Sequence, residues 1–202
     1  MYNYLINNWL EWFGVISGLL YLYLEIKQHT TMWVVGFISS LVYVFVFFES
    51  KFYADTVLNV YFASMSVYGF WLWKFVAAKE NLLSSGGIEY KNLKNMLIVK
   101  LIVSSFSLWV VISQVLVRFT DSPVPYGDAF VSALSVVATW MVARKYIEHW
   151  FVWVVVNVVS VYLFVLRGLN PTAFLYVIYT ILSVIGYLHW RKNDSISPIS
   201  DS

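Results

Sequence analysis

At 202 residues the chain has the length of one ordinary soluble domain, but 60% of it is apolar and only 12% charged, against about 45–50% and about 25% in soluble proteins. A chain this short cannot hide so much apolar surface in one core, so the surplus faces lipid. The same figures exclude disorder; 9 Gly and 4 Pro exclude a collagen-like fibre, a net charge of +2 gives no case for nucleic acid, and zero Cys removes thiol catalysis and thiolate metal sites.

A helix needs roughly 20 apolar residues to cross the hydrocarbon. Seven stretches qualify in chain order: Trp9–Leu24, Met32–Phe48, Thr56–Val76, Met96–Val117, Ala129–Ala143, Trp150–Leu166 and Thr172–Trp190. Charges and turn residues separate them, as in Glu49-Ser50-Lys51 and Arg167-Gly168-Leu169-Asn170-Pro171. Trp9, Trp12, Trp33, Trp71, Trp73, Trp150 and Trp190 crowd the ends, where an interfacial belt would place them. For Trp71, Trp73 and Trp190 belt anchoring is the preferred reading. A β-barrel would need period-two alternation, and Val154–Val159 (VVVNVV) has none. The expectation is an all-α membrane protein. The first eight residues carry no Lys or Arg and no cleavage site follows the first apolar run, so that run reads as a retained span.

Lys and Arg set the orientation. Lys51, Arg118 and Arg167 fall on the N-terminal side of the membrane. Lys27, Lys74, Lys79, Lys91, Lys94, Lys100, Arg144, Lys145, Arg191 and Lys192 fall on the other. The second group therefore reads as cytoplasmic, with the N-terminus outside. The longest connection, about residues 77–95, holds Ser84-Ser85-Gly86-Gly87 and reads as a flexible link.

Sliding the chain on itself by 117 residues exposes an internal repeat. Between Trp33 and Trp73 there are 11 identities in 41 positions, among them Trp33 on Trp150, Ser66 on Ser183, Gly69 on Gly186 and Trp73 on Trp190. The expected organisation is a first three-helix repeat at 1–76, a cytoplasmic loop and linker helix at 77–127, a second repeat at 128–190 and a polar cytoplasmic tail at 191–202. Four crossings separate matching helices, so the repeats are parallel. Transporters use this design, with the substrate site near mid-membrane between repeats.

The charged residues fall at or near span ends, and no carboxylate relay is visible inside a span. Neutral polar groups stand out instead. Trp150, Trp153, Asn157 and Ser160 share one face of the sixth span, and the Asn157 amide needs a partner in that Val-rich setting. The matching face of the second span, Trp33, Gly36, Ser40 and Tyr43, is less polar. Asn59, Ser66, Tyr176 and Tyr179 complete the candidate substrate-binding set with Trp150, Trp153, Asn157, Ser160, Ser40 and Tyr43. Such a cavity suits a planar, polar, even cationic molecule. A phosphorylated one would want Arg or Lys in the site. No metal or cofactor is expected. An enzyme would need clustered His, Asp or Glu, which the spans lack; the different-class alternative is a non-transporting membrane subunit.

Four segments carry a resemblance to a known family: WFGVISGLLYLYLEIKQH near the start, KFYADTVLNVYFASMSVYGFWLW at 51–73, DAFVSALSVVATWMVARKYIEHWFVWVVVNVVSVYLF at 128–164 and LYVIYTILSVIGYLHW at 175–190. Together they resemble the Pnu family of bacterial vitamin transporters. The resemblance implies a SWEET-like three-one-three fold, a homotrimer in the bacterial inner membrane and facilitated diffusion. It implies nicotinamide riboside as substrate, trapped inside by a cytoplasmic kinase. It also makes the WxxWxxxN face of Trp150, Trp153 and Asn157 the substrate wall. Members of the family often carry Gln where Ser66 stands, in a stretch that reads SVYGF here. Sibling branches carry thiamine or riboflavin, so these stay as alternatives.

Overall fold

The computed structural model describes residues 9–80 and 90–193. The first eight residues, the Ser84–Gly87 link and the end of the tail from residue 194 lie outside the described residues. Seven helices follow one another: α1 (Trp9–Ile26), α2 (Thr31–Glu49), α3 (Tyr53–Glu80), α4 (Asn95–Phe119), α5 (Pro125–Ala143), α6 (His149–Leu166) and α7 (Asn170–Lys192). Each contains its predicted span and runs beyond it at one end or both. Backbone groups inside lipid have no water to bond, so the helix persists until a turn can satisfy them. Six of the seven, all but α3, are apolar and long enough to cross a membrane. Helix α3 carries Asp55, Asn59, Ser64, Ser66 and Lys74 along its length.

The helices close a ring. Each of the pairs α1–α2, α2–α3, α3–α5, α5–α6, α6–α7 and α7–α1 is in contact, and α4 packs on α5. The contacts respect the 117-residue offset. The α3–α5 joint in one half corresponds to the α7–α1 joint in the other.

The turns repeat as well. Among the described residues, positive φ occurs at Gln28 (50°), Lys51 (62°), Lys145 (59°) and Gly168 (73°). These form two pairs, Gln28 with Lys145 and Lys51 with Gly168, each 117 residues apart. Left-handed backbone is uncommon for residues other than Gly, so its recurrence at matched positions marks one turn used twice. The amide of His29 donates to Leu24 O at 2.8 Å and that of Tyr146 to Met141 O at 3.0 Å; Phe52 to Phe47 O and Leu169 to Phe164 O follow suit at 2.8 and 2.9 Å. These are left-handed caps that satisfy the last carbonyls of α1, α5, α2 and α6.

Two buried clusters lie at the end of the ring where α1 and α5 terminate. One holds Met32, Trp33, Trp73, Val142 and Ala143. The other holds Ile26, Ile147, Trp150 and Trp190. In the first, Trp33 and Trp73 meet edge to face at 5.5 Å and 88°. In the second, Trp150 and Trp190 do so at 5.6 Å and 89°. Gly69 and Gly186 make room for them. A Cβ on Gly69 would come within 2.4 Å of the Trp33 ring, and one on Gly186 within 2.4 Å of the Trp150 ring. The paired Trp and Gly seen in the sequence are therefore one packing unit made twice.

Candidate functional site

The ring encloses a cavity of about 760 Å³ lined by all six of its helices. The lining runs from Glu11, Leu169 and Thr172, near the start of α1 and α7, to Tyr21 and Glu25 near the end of α1. None of the four clustered tryptophans is in that lining. Their buried rings fill the end of the ring beyond Tyr21 and Glu25.

Eight of the ten sequence-predicted residues meet in this cavity: Trp153, Asn157, Asn59, Ser66, Ser40, Tyr43, Tyr176 and Tyr179. Asn157 donates its amide N–H to Ser183 Oγ at 3.3 Å, which answers the need of a buried amide for a partner. Tyr176 and Tyr179 meet edge to face at 5.4 Å, and Tyr43 stacks on Phe47. The indole N–H of Trp153 is buried and has no acceptor among the described residues.

The other two residues are not in the cavity wall. Trp150 is wholly buried against Gly186 and Trp190. It begins the α6 face shared with Trp153 and Asn157, but at its level the ring is already filled. Ser160 is buried too, yet outside the lining. Spacing along α6 sets the face, not the depth at which the cavity stops.

Trp9, Trp12 and Trp71 are exposed, as a belt requires, whereas the belt reading fails for Trp33, Trp73, Trp150 and Trp190, which are buried. Trp73 and Trp190 spend their N–H groups inside the protein, on Ala143 O and Ile26 O, both at 3.1 Å. A ring at a span end can serve either purpose; what lies across the ring of helices decides.

Sequence reasoning also missed α1. Gly14, Ser17, Gly18, Tyr21 and Glu25 all line the cavity. A Cβ on Gly14 would fall 2.2 Å from the Tyr43 hydroxyl, and one on Gly18 2.1 Å from that of Tyr179. The two glycines let these phenols lie against α1. The available signal was the small-xxx-small spacing of Gly14 and Gly18, which marks close helix contact in membranes. Ser135 and Thr139 of α5 are further hydroxyls in the wall.

The charged residues need a correction. Glu25 was placed among those at span ends, yet it is 1% exposed, with its Oε1 3.1 Å from Nε2 of His149, itself 0% exposed. A carboxylate thus does sit inside the bundle. Among the described residues the cavity lining contains two carboxylates, Glu11 and Glu25, and no Lys or Arg.

A family model described as nicotinamide mononucleotide transporter matches residues 8–192. The chain belongs to that family. It is similar to the nicotinamide riboside transporter PnuC of Escherichia coli, 28% identical over 91% of this chain and 85% of the relative. PnuC of Haemophilus influenzae is 26% identical over 92% and 80%. The riboflavin/roseoflavin transporter RibM of Streptomyces davaonensis is 26% identical over 90% and 84%. The fold matches a crystal structure of the vitamin B3 transporter PnuC with a TM-score of 0.71, at 23% identity over 92% of this chain and 81% of that one. The chain is a multi-pass membrane transporter, not an enzyme. The Pnu resemblance read from the sequence stands.

Proposed function

We propose that the protein carries nicotinamide riboside across the bacterial inner membrane by facilitated diffusion. The observation that carries this reading is the cavity wall: among the described residues it offers tyrosines, hydroxyls, two amides and two carboxylates, with no Lys or Arg. A pyridinium nucleoside presents a flat cation to the aromatic faces. Its ribose hydroxyls and carboxamide match the serines, Asn157 and the free N–H of Trp153. A nucleotide would bring a phosphate to a wall without a cation, which is costly to bury. The riboside is therefore preferred to the mononucleotide of the family's name. The relatives named for nicotinamide riboside support the choice. Substrate-binding roles go to the eight predicted residues in the cavity.

On this reading a cytoplasmic kinase traps the riboside by phosphorylation, and the uneven Lys and Arg distribution puts the N-terminus outside. Residues 1–76 and 128–190 act as the two moving units, joined through 77–127, and the assembly is a homotrimer. The second reading is riboflavin, favoured by the RibM relative; thiamine, another flat cation, enters the same test. Purified protein in vesicles is expected to exchange labelled nicotinamide riboside against an internal pool, and not the mononucleotide. Exchange of riboflavin or thiamine alone would replace the substrate, and exchange of none of them would remove the proposal.

A further inference from the structure

The two buried clusters at the filled end of the ring share their paired tryptophans and differ in charge at one contact. In the first, Met32 and Val142 lie together. Moved 117 residues, those positions are His149 and Glu25. An apolar contact in one half is thus a histidine–carboxyl contact in the other, with Nε2 and Oε1 at 3.1 Å and both side chains almost fully buried. We propose that Glu25 and His149 form a proton-binding site whose occupancy holds this end of the ring shut. The proposal rests on the transporter reading, in which this end must open for a permeant to leave.

The geometry counts the protons. His149 Nδ1 lies 2.6 Å from the carbonyl oxygen of Tyr146. A carbonyl only accepts, so Nδ1 carries a hydrogen. Nε2 then faces Glu25, and neither atom has another partner among the described residues. Two lone pairs at that distance would repel, so one further proton belongs to the contact. It can rest on nitrogen or on oxygen; either way the pair is neutral overall. Without it a bare carboxylate, 1% exposed, would face only a neutral imidazole, which is strongly unfavourable.

Position ties this proton to closure. Glu25 ends α1 and lines the cavity, while His149 begins α6 in the other half of the ring. Trp190 of α7 donates to the carbonyls of Glu25 and Ile26. Separating the halves at this end therefore exposes both groups to water. The other titratable groups at the cluster are the phenols of Tyr21 on α1, Tyr187 on α7 and Tyr90. Glu148 beside His149 accepts the amide N–H of Leu93. Lys27 follows α1, and Arg144 and Lys145 precede α6; Arg144 stacks on Trp140 and Lys145 lies over Trp73, in the other cluster.

The sign follows. In water above about pH 6.5 an imidazole is neutral and a carboxylate ionised, so the opened end has released the proton. Closing takes one up. The ratio of closed to open forms then falls as pH rises, by up to about tenfold per unit.

The chain has no cysteine, which permits a test without any permeant. Ala143→Cys places one thiol in the apolar cluster, where Ala143 is 1% exposed. In detergent, its maleimide labelling rate is taken relative to that of Phe119→Cys, at 79% exposed, which cancels the reagent's own pH dependence. The ratio is expected to rise about tenfold or more between pH 6.5 and 8.5. Adding Glu25→Val with His149→Met copies the apolar contact of the other half and is expected to flatten the profile. If that variant does not fold, Glu25→Gln keeps the shape and is expected to flatten it too. A flat ratio in the parent chain, or an unchanged slope in the folded variant, would overturn the proposal. Loss of nicotinamide riboside as substrate would leave the labelling result intact, and a flat ratio would leave the substrate reading intact.

Discussion

The indole N–H of Trp73 donates to the carbonyl oxygen of Ala143 at 3.1 Å. The bond joins α3 of the first repeat to the end of α5 in the second. Its counterpart 117 residues on, Trp190 to Ile26, has the same length and runs back from the second repeat to the first. The two halves of the ring thus hold each other by one exchanged contact, made near the base of the cavity.

Each of these bonds has a measurable weight. Trp73→Phe and Trp190→Phe keep most of the ring but leave a buried carbonyl without its donor, at a cost of about 1–3 kcal/mol. The two variants are expected to lower thermal stability by similar amounts in detergent. A loss at one position and none at the other would show that the halves are not joined equivalently.

Two tryptophans on one face of α6 are expected to part company. Trp150→Ala empties a wholly buried site and is expected to cost about 3–5 kcal/mol of stability, while the folded fraction keeps its ligand affinity. Trp153→Ala changes the cavity wall and is expected to weaken nicotinamide riboside binding about tenfold or more, the worth of about 1.4 kcal/mol. Calorimetry alongside thermal unfolding reads both. The opposite pattern would return Trp150 to the site.

Glycine at position 18 sets the position of a phenol. In Gly18→Ala the new Cβ would overlap the Tyr179 hydroxyl, so the ring must shift. Overpacking of this kind costs about 1–3 kcal/mol. Ligand affinity is expected to fall, and Gly18→Ala with Tyr179→Phe to recover part of it. No recovery would separate the effect from Tyr179.

The matched turns allow an exchange. Lys51 holds the left-handed conformation that Gly168 holds in the second repeat, at a cost of about 1–2 kcal/mol for a residue with a Cβ. Lys51→Gly is expected to raise the unfolding temperature and Gly168→Ala to lower it. A Cβ at 168 would meet nothing within 4 Å, so the second effect is purely one of backbone. Equal stability of all three chains would remove the strain argument.

Much of the site was legible because α2, α3, α6 and α7 carry isolated polar groups in apolar runs. Asn157, Ser40, Asn59 and Ser66 stand out there, and all four reach the cavity. Helix α1 was not legible. Its apolar residues go right round the helix, so no periodicity separates the lipid face from the cavity face. Glu25 misled for a related reason: the last turn of a span reads as interface, and only His149, 124 residues further on and across the ring, takes it into the interior.

Amino-acid order alone settled that the chain lives in lipid, where its helices run and that the first three recur as the last three. Those properties follow from apolar run length and from a repeated spacing, both local to the chain. Which rings plug the bundle, which glycines admit a tyrosine and which carboxylate is buried were decided by packing across the ring. In lipid an inward and an outward residue can both be apolar, and only contact with another helix tells them apart.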